Sequence, residues 1–452
     1  MTGQGARYRF GPRERGRTLA GWRAGQIITV ALGLLIGMLV LRMEPTPAGV
    51  AVAVVVLVMC GALAAWPVAG RTGEEWFPVV VCWGSRRLGR RGHRRLDSLA
   101  GLRLLRAGRH DMGVVHDQRR RTLTAALALR GQSFALLGPE EQDRRVGGWS
   151  SLLAALAREG SPVRRVQWLA ASFPDQGHGV RDFMAEHASD AAASAALASY
   201  ASLLSDIDAD ACAHDVVLTV QVRVPKSVEM GCEVLEREVA SVSRLLTEAD
   251  VSVERVLSSD DLARQLLRTY EQGSSQGDAP SVADPWPMAM EESWASLRVD
   301  GLSHATFWVA EWPRIEVRSD FLAPMLLGTT RAVLSVVMEP LGPDEAVRKV
   351  EASRTADLAD AELRRRGGFI STARRARETD VLARREAELA EGHASFRYAG
   401  FVTVSAPSEE ELATACDTVQ HAAGQCRLAL RRLYGDQASA YTCTLPLGRG
   451  IS

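Results

Sequence analysis

The sequence predicts an α+β protein in which an N-terminal transmembrane helical hairpin is followed by two cytoplasmic α/β sandwich-like layers. Three observations lead there. Residues 24–41 and 47–70 carry no charged side chain, short apolar runs alternate with amphipathic helical patterns beyond residue 111, and residues 272–287 are rich in Gly, Ser, Asp and Pro without periodicity.

A chain of 452 residues accommodates about two to four domains. With 46% hydrophobic and 24% charged residues it excludes a disordered, collagen-like or disulfide-scaffold protein. Positive charge is carried almost entirely by Arg, with Lys only at Lys226 and Lys349, and the formal net charge is zero. Seven cysteines, an odd count without a CxxC pair, predict free thiols in a reducing compartment.

At about 1.5 Å per residue the two uncharged stretches span roughly 27 and 36 Å, enough for a bilayer core of about 30 Å. Between them stand only Arg42, Met43, Glu44, Pro45 and Thr46, so the chain must return antiparallel, each helix satisfying its own backbone in lipid. Arg7, Arg9, Arg13, Arg15, Arg17 and Arg23 precede the hairpin and a second arginine group follows it, which predicts two spans in the cell membrane with both termini cytoplasmic. The basic N-terminus covers residues 1–23 and the hairpin 24–70. A basic juxtamembrane arm follows over 71–110. There Trp76, Phe77 and Pro78, continued by Val79 to Trp83, have the composition of an interfacial anchor. From Arg86 to Arg109 nine arginines oppose the single Asp97. Such density attracts anionic headgroups at about 1 kcal/mol per charge near the surface. The lipid-contact residues are therefore expected to be Trp76, Trp83, Arg86, Arg87, Arg90, Arg91, Arg94 and Arg95. Nucleic acid would be drawn by the same charge.

In the first α/β domain, residues 111–271, strands are predicted over 112–116 and 122–130, around a polar turn containing Asp117. A helix opened by Pro139 should reach about residue 158, with Val146, Trp149, Leu152, Leu153 and Leu156 on one face. Strands over 163–171, 216–224 and 251–257 alternate with helices over 181–204, 227–247 and 259–270. Leu218, Val220, Val222 and Val224 share one strand face. After the 272–287 linker, the second domain, residues 288–452, contains strands over 305–310, 332–339, 396–404 and 427–434. It also has a helix over 408–424 and a long Arg- and Glu-rich helical pair over 344–391, broken at Gly367 and Gly368.

Catalytic patterns fail one by one. A P-loop needs Gly-Lys followed by Ser or Thr, and neither lysine follows glycine. The Gly177 to Gly179 and Gly448 to Gly450 pairs lack the third glycine of a dinucleotide fingerprint. Asp206, Asp208 and Asp210 begin like a calcium loop, but Ala211 and Val217 occupy positions that need Gly and Glu. Cys212, His214 and Asp215 lack a second ligand pair, and adjacent strand residues face opposite ways. Cys416, His421 and Cys426 have the wrong spacing for one helix face and are expected to be core thiols and helix polarity. These readings predict a non-catalytic protein without cofactor or metal.

The basic N-terminus, two-helix hairpin and basic arm resemble the small two-span inner-membrane subunit of type IV secretion systems, the PrgI family. The segment from Gly113, Val114, Val115 and His116 through Leu127, Ala128, Leu129, Arg130 and Gly131 is similar to the opening of the CagE/TrbE family of conjugative ATPases. So are Phe134, Ala135, Leu136 and Leu137 and the helix carrying Trp149. The similarity continues through residues 259–270, Trp312 and the helical pair to Leu445, Pro446, Leu447 and Gly448, which resemble the segment just before that family's nucleotide-binding domain. With the chain stopping there, the resemblance implies a fusion of the small subunit to a non-catalytic N-terminal domain, as in an actinobacterial family of conjugation-associated membrane proteins. It implies a separate P-loop ATPase, other secretion-channel subunits and membrane lipids as partners, an oligomeric state, and no catalytic residue. The alternative expectation is a membrane-tethered nucleic-acid-binding protein.

Overall fold

The computed structural model describes residues 7–8, 24–65, 73–88, 98–108, 111–130, 137–174, 199, 202, 212–271, 285–313, 317–318, 320–342, 344–348, 351–352, 355 and 394–450. The chain forms two compact units, one built from residues 11–92 and 344–392 and the other from 1–10, 93–343 and 393–452.

In the first unit, helix α1 (Ala24–Met43) and helix α2 (Pro47–Ala65) form an antiparallel hairpin. Pro47 sits at the first position of α2, where a missing N–H costs nothing, and the Thr46 hydroxyl accepts from Gly49 N at 3.3 Å. Small residues let the helices meet closely. A Cβ on Gly33 would lie 2.8 Å from Cys60 Cβ, and Gly37 faces Ala53. Gln26 donates from Nε2 to the Ala64 carbonyl at 2.8 Å, a polar side chain satisfied across the helix pair. Only 11% and 17% of the two apolar windows are buried, so they are not core helices of this fold. Each is long and apolar enough to cross a membrane. The second helix is described as far as Ala65; residues 66–72 lie outside the described residues. Helix α3 (Gly73–Leu88) follows, with Pro78 inside it.

The second unit is dominated by one antiparallel sheet of twelve strands. Two-residue strands β1 (Arg7–Tyr8) and β11 (Val317–Arg318) pair separately. The N-terminal half of the sheet contains β2 (Leu102–Ala107), β3 (Met112–Asp117), β4 (Thr122–Arg130), helix α4 (Pro139–Leu156), β5 (Val163–Pro174), β6 (Cys212–Arg223), helix α5 (Val228–Glu248), β7 (Ser252–Val256) and helix α6 (Ser259–Tyr270). The C-terminal half contains β8 (Met290–Glu292), β9 (Leu297–Val299), β10 (Leu302–Glu311), helix α7 (Ala323–Leu326), β12 (Ala332–Leu341), β13 (Ser395–Ala406), helix α8 (Glu409–Gln425), β14 (Ala429–Arg432) and helix α9 (Gln437–Tyr441).

These halves have the same topology. The strand order runs β2-β3-β4-β6-β5 and then β12-β13-β10-β9-β8, one half the reverse of the other, with β7 added to β4 and β14 to β10. Central strands β5 and β12 pair antiparallel, from Ala332 with Ser172 to Met338 with Val166. Local detail repeats as well. Ser227 caps α5 by accepting from Met230 N, and Ser408 caps α8 by accepting from Glu411 N. Both helices end in a left-handed residue, Asp250 (φ 59°) and Arg427 (φ 58°). In each case the following amide returns to the last turn, Val251 N to Leu246 O at 2.9 Å and Leu428 N to Ala423 O at 2.8 Å.

Helices α4 and α5 cover one sheet face in the first half around Leu123, Leu127, Leu218, Leu235 and Leu246; α7 and α8 cover the matching face in the second around Phe307, Val402, Val404 and Leu412. On the opposite face α6, α9 and the last residues share a third core through Leu262, Leu266, Tyr441 and Leu445.

One expectation is corrected. The two halves are not separate layers but a single sheet, because β5 and β12 present open edges that pair with each other. Within the basic arm expected over 71–110, Leu102 to Ala107 form β2 and pair with β3. Most of the helices expected over 181–204 and 344–391, with Gly367 and Gly368, lies outside the described residues, as do residues 272–284 of the linker.

Close approach at Gly113 gives a test. A Cβ there would meet Ser258 O at 2.6 Å and Ser259 Cα at 3.0 Å, both main-chain atoms that join β3 to the start of α6. Gly113→Ala should destabilise the full-length protein by about 1–3 kcal/mol. Gly147, in α4 with nothing within 4 Å, should tolerate Ala with a gain of up to ~1 kcal/mol. Denaturant midpoints in detergent should shift in opposite directions.

Candidate functional site

Trp76 and Trp83 stand seven residues apart on α3, both half-buried, with Val79 between them on the same side. Phe77, Val80 and Val81 form an exposed apolar strip; Phe77 is 72% exposed. This helix carries the aromatic part of the expected lipid-contact set. Arg86 and Arg87 fall in its last turns, but their side chains, like residues Arg90, Arg91, Arg94 and Arg95 entirely, lie outside the described residues.

The most developed polar site is one the sequence reading did not assign. A row of polar side chains crosses the sheet face opposite α5, in strands that are otherwise apolar. Thr124 on β4, Thr219 and Gln221 on β6, Gln167 on β5, Ser335 on β12, Thr403 on β13 and Thr306 on β10 are all buried. Strand alternation places them there: Leu218, Val220 and Val222 fill the core beneath α5, so Thr219 and Gln221 must face the other way. The row holds the C-terminal segment 441–449. Gln167 donates from Nε2 to Cys443 O at 2.9 Å and Leu445 O at 3.0 Å, and its Oε1 accepts from Gly448 N at 2.8 Å. Ser335 also donates to Cys443 O, at 2.7 Å. Leu447 O accepts from Gln221 Nε2 at 3.0 Å and the Thr124 hydroxyl at 3.3 Å. Thr403 bonds Thr444 at 2.7 Å and Thr306 at 2.8 Å through their hydroxyls. A segment with no ladder of its own thereby satisfies its buried carbonyls through side chains. Gly448 has φ +63° and would place a Cβ 2.6 Å from Gln221 Nε2, so both backbone and space require glycine.

The segment ends in a buried ion pair. Arg449 reaches Asp117 Oδ2 from Nη2 at 2.5 Å and Nε at 3.2 Å, and Nη1 donates to Ser98 O. Burial lowers the proton affinity of Arg449, an effect opposed by its hydrogen bond to Asp117. Asp117 also accepts from Arg120 N through Oδ1 at 3.0 Å, the turn role expected for it. Its second role depends on a residue 332 positions away. Beside the segment, His304 is buried with Nδ1 2.8 Å from Ser405 Oγ, its ring 4.7 Å from that of Tyr441. Burial, reinforced by Arg331, pushes His304 down to about 3. Burial also raises the Tyr441 phenol, whose hydroxyl donates to Thr269 at 3.1 Å.

The remaining candidates do not assemble into a reactive centre. His214 Nδ1 lies 3.1 Å from Ser172 Oγ, but that hydroxyl donates to Leu326 O at 2.9 Å, so its proton is already committed. Asp215 pairs with Arg268 at 2.7 Å rather than with His214. Cys416 and Cys426 are buried in the core beneath α8, where burial raises Cys416 to about 11, an unreactive thiol at neutral pH. Asp206, Asp208 and Asp210 lie outside the described residues. Among the described residues, no group of three His, Cys, Asp or Glu side chains could hold a metal ion.

Two predictions follow from this geometry. Arg449→Met strands the Asp117 carboxylate and should cost about 3–5 kcal/mol, whereas adding Asp117→Asn, which preserves the Oδ1 turn acceptor, should recover part of that loss. A double-mutant cycle of urea midpoints checks the coupling. His304 has a folded-state value below its unfolded value, so between about pH 6.5 and 3 the unfolded chain binds the extra proton and stability falls with pH, by up to about 1.4 kcal/mol per unit. Midpoints measured from pH 7 to pH 4 should fall less steeply in His304→Gln.

Comparison of the chain with protein-family models and with curated proteins finds no match.

Proposed function

We propose that the chain is a non-catalytic cytoplasmic-membrane scaffold of a type IV secretion or conjugation-like apparatus. The hairpin anchors it with both termini in the cytoplasm, and the sheet unit stands on the cytoplasmic side, where it docks a separate P-loop ATPase to the channel. One observation carries this reading. Two apolar helices, mostly exposed along their length, are joined in one chain to a large sheet whose opening strands carry the CagE/TrbE-like residues, while the sequence contains no Gly-Lys-Ser/Thr phosphate loop. On this reading, energy comes from the partner ATPase. The polar row supports a mechanical role: it binds residues 441–449 across both halves of the sheet, so force applied at either half is transmitted through buried side-chain hydrogen bonds rather than a loose linker.

A second reading, a membrane-tethered nucleic-acid-binding protein, is favoured by the nine arginines between Arg86 and Arg109. Purification from native membranes in mild detergent, followed by mass spectrometry of the co-purifying chains, tests the first. Near-stoichiometric recovery of a P-loop ATPase is expected, surviving moderate salt. Its absence, together with DNA that dissociates steeply as salt rises and is lost when Arg90, Arg91, Arg94 and Arg95 are neutralised, would replace the scaffold by the tether.

A further inference from the structure

Helix α3 presents three sides. Trp76, Val79 and Trp83, spaced three and four residues apart, are half-buried and mark its covered side. Phe77, Val80 and Val81 occupy the adjoining side and are 72%, 49% and 51% exposed. Glu75, Pro78, Cys82 and Ser85 line the third, where the Ser85 hydroxyl donates to the Cys82 carbonyl at 2.9 Å. The apolar arc of the helix is therefore wider than the part the protein covers. Single exposed apolar side chains are ordinary, but three in one strip mark a contact surface.

The helix starts on the surface of the hairpin. Gly73, its first residue, lies so close to Leu63 that a Cβ would stand 2.8 Å from the Leu63 carbonyl oxygen and 2.9 Å from Cδ2. Leu63 is the next-to-last residue of the apolar window Pro47–Ala64 and is itself exposed. At the same level Gln26, near the start of α1, reaches the Ala64 carbonyl. Helix α3 thus begins where both apolar helices end on one side. Its 16 residues extend about 24 Å at ~1.5 Å per residue, short of a bilayer core of ~30 Å. Glu74 and Glu75 stand in its first turn and Arg86 and Arg87 in its last, so both ends carry charge. A third span is excluded by length and by charge together.

Taking the hairpin as the membrane anchor, we propose that α3 lies in the plane of the bilayer surface. It inserts Phe77, Val80 and Val81 at the boundary between headgroups and acyl chains, in the leaflet that holds the end of α2. A wide apolar arc beside one polar side, starting at the edge of a span, is the pattern of an interfacial helix. The tryptophans, on the covered side, leave the lipid contact to the strip beside them. A protein partner fits this strip less well: three side chains offer on the order of 300 Å², against about 800 Å² per partner in a stable protein interface. A bilayer needs no matching surface.

Photo-crosslinking of the full-length protein in native membranes tests this, with p-benzoylphenylalanine replacing Phe77, Val81, Ser85 or Leu35 one at a time and mass spectrometry identifying the adducts. Lipid adducts at positions 77 and 81 should exceed those at 85 by about fivefold or more, as on the two faces of an interfacial helix. Leu35, exposed in the middle of α1, reports on the hairpin itself and should also join lipid. Lipid at 35 without an excess at 77 and 81 would overturn the placement of α3 and leave the anchor standing. No lipid at 35 would remove the anchor and the proposal with it. Equal lipid yields at 77, 81 and 85 would overturn it in favour of a helix immersed on all sides. Adducts of 77 and 81 to a protein chain would overturn it in favour of a protein partner. Agreement between the two strip positions excludes misfolding of a single variant as the cause.

Discussion

The antiparallel pairing of β5 with β12 is the constraint on which the second unit depends. Each half, taken alone, would end in an unpaired edge at a long, largely buried strand, an open template for association. Joining the two edges removes both liabilities and forces the halves into a reversed order about their common seam. Everything outward follows: β6 and β13 flank the seam, β4 and β10 come next, and the meanders β2–β3 and β8–β9 close the ends. Antiparallel pairing at the seam also sets where the chain may be elaborated. Residues 175–211 and 342–394 are inserted at the same step of each half, after its seam strand and before that strand's neighbour, so they leave from opposite ends of the central pair.

Much of each half was legible because its helices and strands bury one face. Leu218, Val220 and Val222 mark β6 by period two, and Ser227, Ser258 and Ser408 mark helix starts by their caps. The seam was not legible, since the edge groups that pair are main-chain N–H and C=O, which no residue type advertises. Strand β2 was hidden because Arg103 and Arg106, three residues apart and so on opposite faces, break the period-two alternation and read as charge. Repetition of the halves was obscured in the same way: α5 and α8 share a cap, a left-handed stop and a following strand, but little sequence.

The polar row shows what physical reading of one strand face leaves behind. Apolar residues at 218, 220 and 222 required a different identity at 219 and 221, and Thr and Gln there were a visible signal of something polar covering the far face. What covered it could not be read, because its partner is 226 residues away at Leu447. Fully satisfied, such a network specifies one position for the segment; half-satisfied, it would be worse than an apolar core. Gln167 and Ser335 come from the two seam strands themselves, so the hydrogen bonds that fix Cys443 also clamp the halves together on one face.

The two ends of the seam have diverged despite their equivalent topology, and the difference is electrostatic. Arg331 precedes β12 as Arg164 and Arg165 open β5. At its end, however, each positive charge has a structural partner. Arg331 donates to Glu271 O at 2.9 Å and to Arg268 O, closing the C-terminus of α6 where its dipole is negative. Arg268 in turn holds Asp215 at 2.7 Å, and both guanidiniums lie over the ring of Phe173, at 4.9 and 5.4 Å. At the opposite end a carboxylate stands at the centre instead: Glu339 on β12 lies 3.9 Å from Arg165 on β5 and 3.6 Å from Arg397 on β13, so a cross-strand ion-pair group ties the seam strands to a neighbour.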